Sequence, residues 1–238
     1  MLQRKTIISA CLTLVAVLLS TAVPAASDNP SSQPSAQASA GQQPADKTSA
    51  DAAKLRIGSG DPVAGKTKAD LCFGCHGEDG NSMDPQSPKL AGQYGAYIAK
   101  QVRNYQATSR THQIMSPMAS TVSDADLADI SAYFASQPMM KGDAPSGNQL
   151  GKKLFENDDL SRMMVRCNSC HGTSGKGQNP GNPLYPVIGG QHKAYLYGQL
   201  LNFKNGVRNN SNGGVMNITV HRLSDAEIDA LADYISGL

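Results

Sequence analysis

The 238-residue sequence has no tryptophan, four phenylalanines and only 5% aromatic residues in all. A folded chain built from side chains alone would be short of large core fillers. Something other than protein is therefore expected to occupy part of the interior. Excess charge is missing too. Lys plus Arg is 21 against 19 for Asp plus Glu, and two of the positive charges, Arg4 and Lys5, stand at the very start. The rest of the chain is neutral, which argues against nucleic acid as a partner, since that would call for a strongly basic face. Beyond one apolar run near the start, no segment is apolar enough to span a bilayer. Strand-like alternation is scarce, and Gly and Pro cluster between stretches of helical period.

The start reads as an export signal over residues 1–26. Arg4 and Lys5 precede an almost wholly apolar run from Thr6 to Ala22, followed by the small residues Ala25 and Ala26. Left uncleaved, the run is long enough to anchor in a bilayer. Cys11 follows Ile8-Ser9-Ala10 as in a lipoprotein site, but most of the apolar stretch comes after it. In either case the remainder is expected in the periplasm. Residues 27–56 are dominated by Ser, Ala, Gln, Pro and Asp, too polar to offset the entropy of ordering, and read as a disordered linker. With the anchor retained it would be a membrane tether, its ends about 30 Å apart on average.

Everything after Ile57 can be laid over itself. Cys72-Phe73-Gly74-Cys75-His76-Gly77 recurs as Cys167-Asn168-Ser169-Cys170-His171-Gly172, 95 residues later. Pro88, Gly92, Gln93, Tyr97, Gln101 and Arg110 recur as Pro186, Gly190, Gln191, Tyr195, Gln199 and Arg208 at an offset of 98. Met115, Ser123 and Tyr133 recur as Met216, Ser224 and Tyr234 at an offset of 101. A duplicated unit explains this pattern and divides the chain into domains 57–142 and 143–238. Each unit is expected to be helical. Ser123-x-x-Asp126 and Ser224-x-x-Glu227 are capping-box patterns. After them Leu127, Ile130, Tyr133 and Phe134, and Ile228, Leu231 and Ile235, fall at helical spacing.

C-x-x-C-H is the attachment signature of c-type haem. Two cysteines one helical turn apart can form thioethers to the two vinyl groups on one porphyrin edge, and the next residue, His, then reaches the iron. Cys72, Cys75 and His76 would hold one haem, and Cys167, Cys170 and His171 a second. The alternatives fit less well. A thioredoxin-like C-x-x-C wants an α/β setting, and paired C-x-x-C zinc ligands stand about 15–20 residues apart. Two disulfides suit the periplasm but leave both histidines unexplained. Two haem discs would also supply the missing core volume.

The sixth iron ligand decides between electron transfer and small-molecule chemistry. Met115 and Met216 both stand eight residues before the capping serine, so the repeat register selects them as axial partners. Met118 is matched by Thr219, His112 by Gly213 and His221 by Ser120, so none of these is duplicated. His192, matched by Tyr94, is expected at the surface. Pro88 and Pro186 are candidates to offer a carbonyl to the other ring nitrogen of each ligand histidine, or else simply to start helices. Arg110 and Arg208, the one duplicated Arg pair, are candidates for haem propionate contacts. Tyr97, Tyr105 and Tyr195 could share that role or pack.

With CFGCHG, PKLAGQ, MSPM and VSDADLADISAYF in the first unit, and CNSCHG, YPVIGGQ, a lone Met and LSDAEIDALADYI in the second, residues 57–238 resemble the cytochrome c4 family. The resemblance implies an all-α fold of two tandem class I cytochrome c domains related by a pseudo-twofold, with propionate edges facing each other. It implies two haem c groups, with His76, Met115, His171 and Met216 as axial ligands. It also implies a periplasmic electron carrier, taking electrons from a quinol-oxidising complex or dehydrogenase and passing them to a terminal oxidase. Two other readings stand beside it: a dedicated cytochrome subunit of a periplasmic dehydrogenase, such as a flavoprotein sulfide dehydrogenase, and a dihaem peroxidase, against which the duplicated Met argues.

Overall fold

The computed structural model describes residues 54–143, 145, 147–178, 182 and 184–238. The expected export signal, and the linker up to residue 53, lie outside the described residues. Residues 54–57 are helical, so structure begins before the expected linker boundary at 56. A Cβ on Gly95 would run into the Ile57 carbonyl, so this turn lies directly on the start of a later helix.

The first lobe contains α1 (Pro62–Lys68), α2 (Asp70–His76), α3 (Gly95–Gln106), α4 (Met115–Ser120) and α5 (Asp124–Ser136). The second contains α6 (Gln149–Glu156), α7 (Asn168–His171), α8 (Lys193–Lys204), α9 (Val215–Val220) and α10 (Asp225–Ser236), with short 3₁₀ turns at Leu160–Arg162 and Asn212–Gly214. No strand forms among the described residues, only one isolated bridge between Asp159 and Met164.

Local chemistry accounts for the helix starts. Asp61 accepts from the Val63 N–H at 2.8 Å, with Pro62 in the first turn. Asn148 accepts from Gly151 N–H at 2.9 Å to open α6. The full capping box expected at both Ser-x-x-acid sites forms only at α10. There Glu227 Oε2 accepts from Ser224 N–H at 2.9 Å while Ser224 Oγ accepts from Glu227 N–H at 3.2 Å. At α5 the shorter Asp126 side chain accepts from the Ser123 hydroxyl at 2.7 Å instead, and only the forward half of the box is made.

In each lobe the first helix crosses the last at a glycine. A Cβ on Gly65 would collide with the Asp129 carbonyl of α5, and one on Gly151 with the Ala230 carbonyl of α10. Glycine is required here because the two backbones nearly touch. The predicted apolar faces are buried, with Leu127 and Phe134 at 0% exposure and Ile228 and Leu231 at 0–1%. Aromatic side chains are concentrated beside the first C-x-x-C-H, where Phe73, Tyr133 and Phe134 stack with ring centroids 5.3–6.3 Å apart. Leu154, Phe155, Leu196, Phe203 and Val220 close the second core.

The lobes meet through a reciprocal interface. Gln93 Oε1 accepts from Val187 N–H at 3.0 Å and its Nε2 donates to Val187 O at 2.8 Å. Gln191, the counterpart of Gln93, does the same to Lys89, the counterpart of Val187, at 2.9 Å both ways. Exchange of equivalent contacts in both directions is the mark of a twofold, here relating two halves of one chain. Ala91, Tyr94, Met140 and Val187 form the apolar centre of this junction.

Candidate haem sites

α2 carries Cys72 and Cys75 one turn apart and ends at His76, where Gly77 takes φ +78° and turns the chain away. α7 repeats this around Cys167, Cys170 and His171, with Gly172 at φ +82°. Both imidazoles are buried, at 6% and 7% exposure. His76 Nδ1 lies 2.8 Å from Pro88 O, and His171 Nδ1 lies 2.8 Å from Pro186 O. A carbonyl can only accept, so Nδ1 carries the hydrogen and the Nε2 lone pair is left for a metal. Burial pushes both rings below their ordinary titration range, against the opposing pull of the proline carbonyl, which favours the neutral, metal-binding form. Pro88 and Pro186 are loop residues ahead of α3 and α8 rather than helix starters.

Among the described residues Cys72, Cys75, Cys167 and Cys170 form no disulfide. Burial raises the Cys72 thiol and pushes Cys167 up to about 12. Among the described residues no group of three metal-binding side chains is assembled. The arrangement fits a group held by its own covalent links and one axial nitrogen.

Met115 opens α4 and lines a cavity of about 210 Å³ together with Cys72, Leu71, Val102, Met118 and Leu127. The cavity thus joins the cysteine helix to the methionine loop, and both methionines border it. Met216 lies on α9 against the second core. His112 serves the turn that presents Met115, where its Nδ1 accepts from the N–H groups of Ile114 and Met115 at 3.2 and 3.3 Å.

Arg110 and Arg208 are buried at the junction, at 8% and 7% exposure. Arg110 donates to Gln101 Oε1 of its own lobe at 2.8 Å, and to Gln199 Oε1 and Tyr195 Oη of the other at 2.8 and 3.1 Å. Arg208 mirrors this on Gln199, Tyr97 and Gln101. Each guanidinium also lies over an aromatic ring, Tyr105 at 4.7 Å and Phe203 at 4.4 Å. Among the described residues neither has a carboxylate partner. A buried cation without a counter-ion is costly, so the pair calls for anions from outside the protein. Haem propionates have that chemistry. Burial and the neighbouring arginine push Tyr105 up and down respectively, with burial prevailing at about 12.

His192 departs from expectation. It is buried at 8% exposure between the lobes, not at the surface. Its Nε2 faces Ser82 Oγ at 2.9 Å and Ser82 O at 3.0 Å, and its Nδ1 lies 3.8 Å from Asp143. Lys89, 5% exposed, spans the same corner to Asp143 Oδ1 at 2.8 Å and Lys141 O at 2.9 Å. Neither residue is duplicated in kind, so the repeat gave no hint of them. The Gln93 and Gln191 clasps did carry a signal, a duplicated polar residue directly after a duplicated glycine, but their role needed the second lobe to be visible.

Two all-helical units, each built around C-x-x-C-H with a proline-held histidine, define a cytochrome c with two haem-binding domains. The cytochrome c family profile matches residues 62–138 and again 149–238. Cytochrome c4 of Pseudomonas aeruginosa is 41% identical over 186 residues, covering 77% of this chain and 92% of that protein. The crystal structure of reduced recombinant cytochrome c4 from Pseudomonas stutzeri superposes with a TM-score of 0.70 at 39% identity, covering 76% of this chain and all of that one. A thiosulfate dehydrogenase from Marichromatium purpuratum is also similar, with a TM-score of 0.68 at 32% identity, over 74% of this chain and 40% of that one. The chain belongs to the cytochrome c4 family. It is a dihaem electron carrier and not an enzyme, and binds two covalent haem c groups.

Proposed function

We propose that the chain works in the periplasm, accepting electrons from a quinol-oxidising complex or a dehydrogenase and delivering them to a terminal oxidase. In this reading Cys72 and Cys75, and Cys167 and Cys170, form the thioethers. His76 with Met115, and His171 with Met216, are the axial ligands, and Arg110 and Arg208 receive the propionates. Each bound haem supplies a reversible one-electron couple. The protein's part is to close both irons with a soft thioether, to hold each imidazole in one tautomer through Pro88 and Pro186, and to keep the two lobes rigidly docked. His/Met ligation raises the potential, which suits delivery to an oxidase.

The observation that carries this reading is the pair of buried arginines, without a carboxylate partner among the described residues and each bonded to oxygens of both lobes. They draw the anionic edges of both prosthetic groups toward one junction. Among the described residues no helix is long and apolar enough to cross a membrane. The test is the visible spectrum of the reduced protein with and without carbon monoxide. An unchanged spectrum is expected; rapid stoichiometric binding at either centre would mean an open iron and overturn the assignment of that methionine.

The likeness to a thiosulfate dehydrogenase chain supports a second reading, in which the donor is one dedicated dehydrogenase. The two are separated by mixing the oxidised protein with each donor in turn. Saturable reduction by a quinol-oxidising complex favours the first, and reduction only by a periplasmic dehydrogenase with its substrate favours the second.

A further inference from the structure

The junction between the lobes is built on a twofold, and its glutamine and arginine bonds come in mirrored pairs. Gln93 mirrors Gln191, Arg110 mirrors Arg208, and Tyr97 mirrors Tyr195. Within the arginine frame, one further cation breaks the symmetry. Lys100 stands on α3, and the matching position on α8 is Gly198. Lys100 Nζ donates to Asn104 Oδ1 at 3.0 Å and, across the junction, to Asn210 O at 2.7 Å. Asn210 Oδ1 in turn accepts from Arg208 Nε at 2.9 Å, so the ammonium stands one residue away from the second lobe's arginine. In the mirror half the counterpart of Asn104 is Asn202, which borders an open groove of about 680 Å³ instead of holding a cation. Three cations thus share a frame with places for four, and none has a carboxylate partner among the described residues.

We propose that Lys100 sets the reduction potentials of the two haem centres apart, making the centre of the second lobe the more easily reduced. The inference rests on the reading that Arg110 and Arg208 receive the propionates. A fixed positive charge stabilises the reduced state, which carries one more electron, and the effect falls with distance and rises where water is excluded. The two arginines are related by the twofold and act on both centres alike. Of the three cations in this frame only Lys100 is unmatched, and the junction's other unmatched lysine, Lys89, is paired with Asp143. The bond of Lys100 to the Asn210 carbonyl places it beside Arg208, which donates to the same asparagine, and burial followed by the two arginines holds its ammonium below its usual range. The asymmetry gives a downhill direction within a duplicated molecule.

The test is a potentiometric titration of the holoprotein, with the second-lobe step identified by its selective displacement in Met216→His. Lys100→Met is expected to lower the second-lobe step more than the first-lobe step, narrowing the gap. Lys100→Arg keeps the charge and is expected to keep the gap. Gly198→Lys places the mirror cation, and a Cβ there meets nothing within 4 Å. It is expected to narrow the gap from the other side, by raising the first-lobe step. The proposal is overturned if Lys100→Met leaves the gap unchanged or moves both steps equally, or if Lys100→Arg behaves like Lys100→Met. Arg208→Gln tests the underlying reading separately: if it leaves both potentials in place, the propionate assignment fails, whatever Lys100 does.

Discussion

Replacing Gln191 by Ala removes one side chain and orphans three main-chain groups. Its Oε1 accepts from Lys89 N–H at 2.9 Å and His192 N–H at 3.0 Å, and its Nε2 donates to Lys89 O at 2.9 Å. Gln191 is 5% exposed, and so is Lys89, so water does not reach these groups freely. A buried polar group left without a partner costs about 1–3 kcal/mol. Three such groups at the lower end, less about 1 kcal/mol of side-chain entropy recovered and with some repair by water entering the vacated space, give a loss of about 1–2 kcal/mol. Gln93→Ala should cost a similar amount, because Gln93 serves Val187 N–H, Val187 O and Tyr94 N–H in the same way. The assay is urea unfolding of the holoprotein followed by circular dichroism, extrapolated linearly to water. The double variant is expected to unfold in two steps as the lobes uncouple. A loss below about 0.5 kcal/mol for Gln191→Ala, the level of an ordinary surface change, would refute the claim that this clasp holds the junction.

Gly65→Ala and Gly151→Ala should each destabilise by about 3 kcal/mol or more, since the new methyl meets a helix carbonyl with no room to move. Gly198→Ala, with open space around it in mid-helix, should stabilise by about 0.5–1 kcal/mol; thermal melts separate the two behaviours. Met216→Ala should admit carbon monoxide to the second-lobe iron alone and Met115→Ala to the first, read from the reduced spectrum, while Met118→Ala should leave both closed. The Glu227 carboxyl is pushed up by burial, but the Ser224 N–H and Arg162 outweigh this and hold it below its usual 4.5. Its contribution is therefore full above about pH 4.5, where the unfolded carboxyl is also ionised, and fades as pH falls through the lower native value. Glu227→Gln should flatten stability against pH in that window, and an unchanged acid limb would count against it.

Much of the architecture could be read directly. Two C-x-x-C-H motifs 95 residues apart, serines ahead of both last helices, and prolines at matched offsets from the histidines are local signals, and each leads to the local structure observed. The glycine crossings were not read in this way, because a requirement for absent side-chain atoms shows only when the opposing backbone is in place. The full capping box at Ser123 failed for a reason of one methylene, which the pattern of residue types does not weigh.

The covalent and local chemistry of each half is written along the chain: the cysteine spacing, the histidine that follows it, the helical period and the duplication. These depend on neighbours within a turn or two, so a linear reading reaches them. The junction came into being only with the packing of one lobe on the other. His192 looked like a surface residue until Ser82 and Asp143 came to meet it, and Arg110 and Arg208 became a buried cation pair only when each drew bonds from the opposite lobe. Lys100 gained its meaning from Asn210, 110 positions away, and from the glycine that stands in its mirror place. Burial and electrostatic pairing are properties of three-dimensional neighbourhoods, and two halves copied from one unit acquire different environments only once they pack against each other.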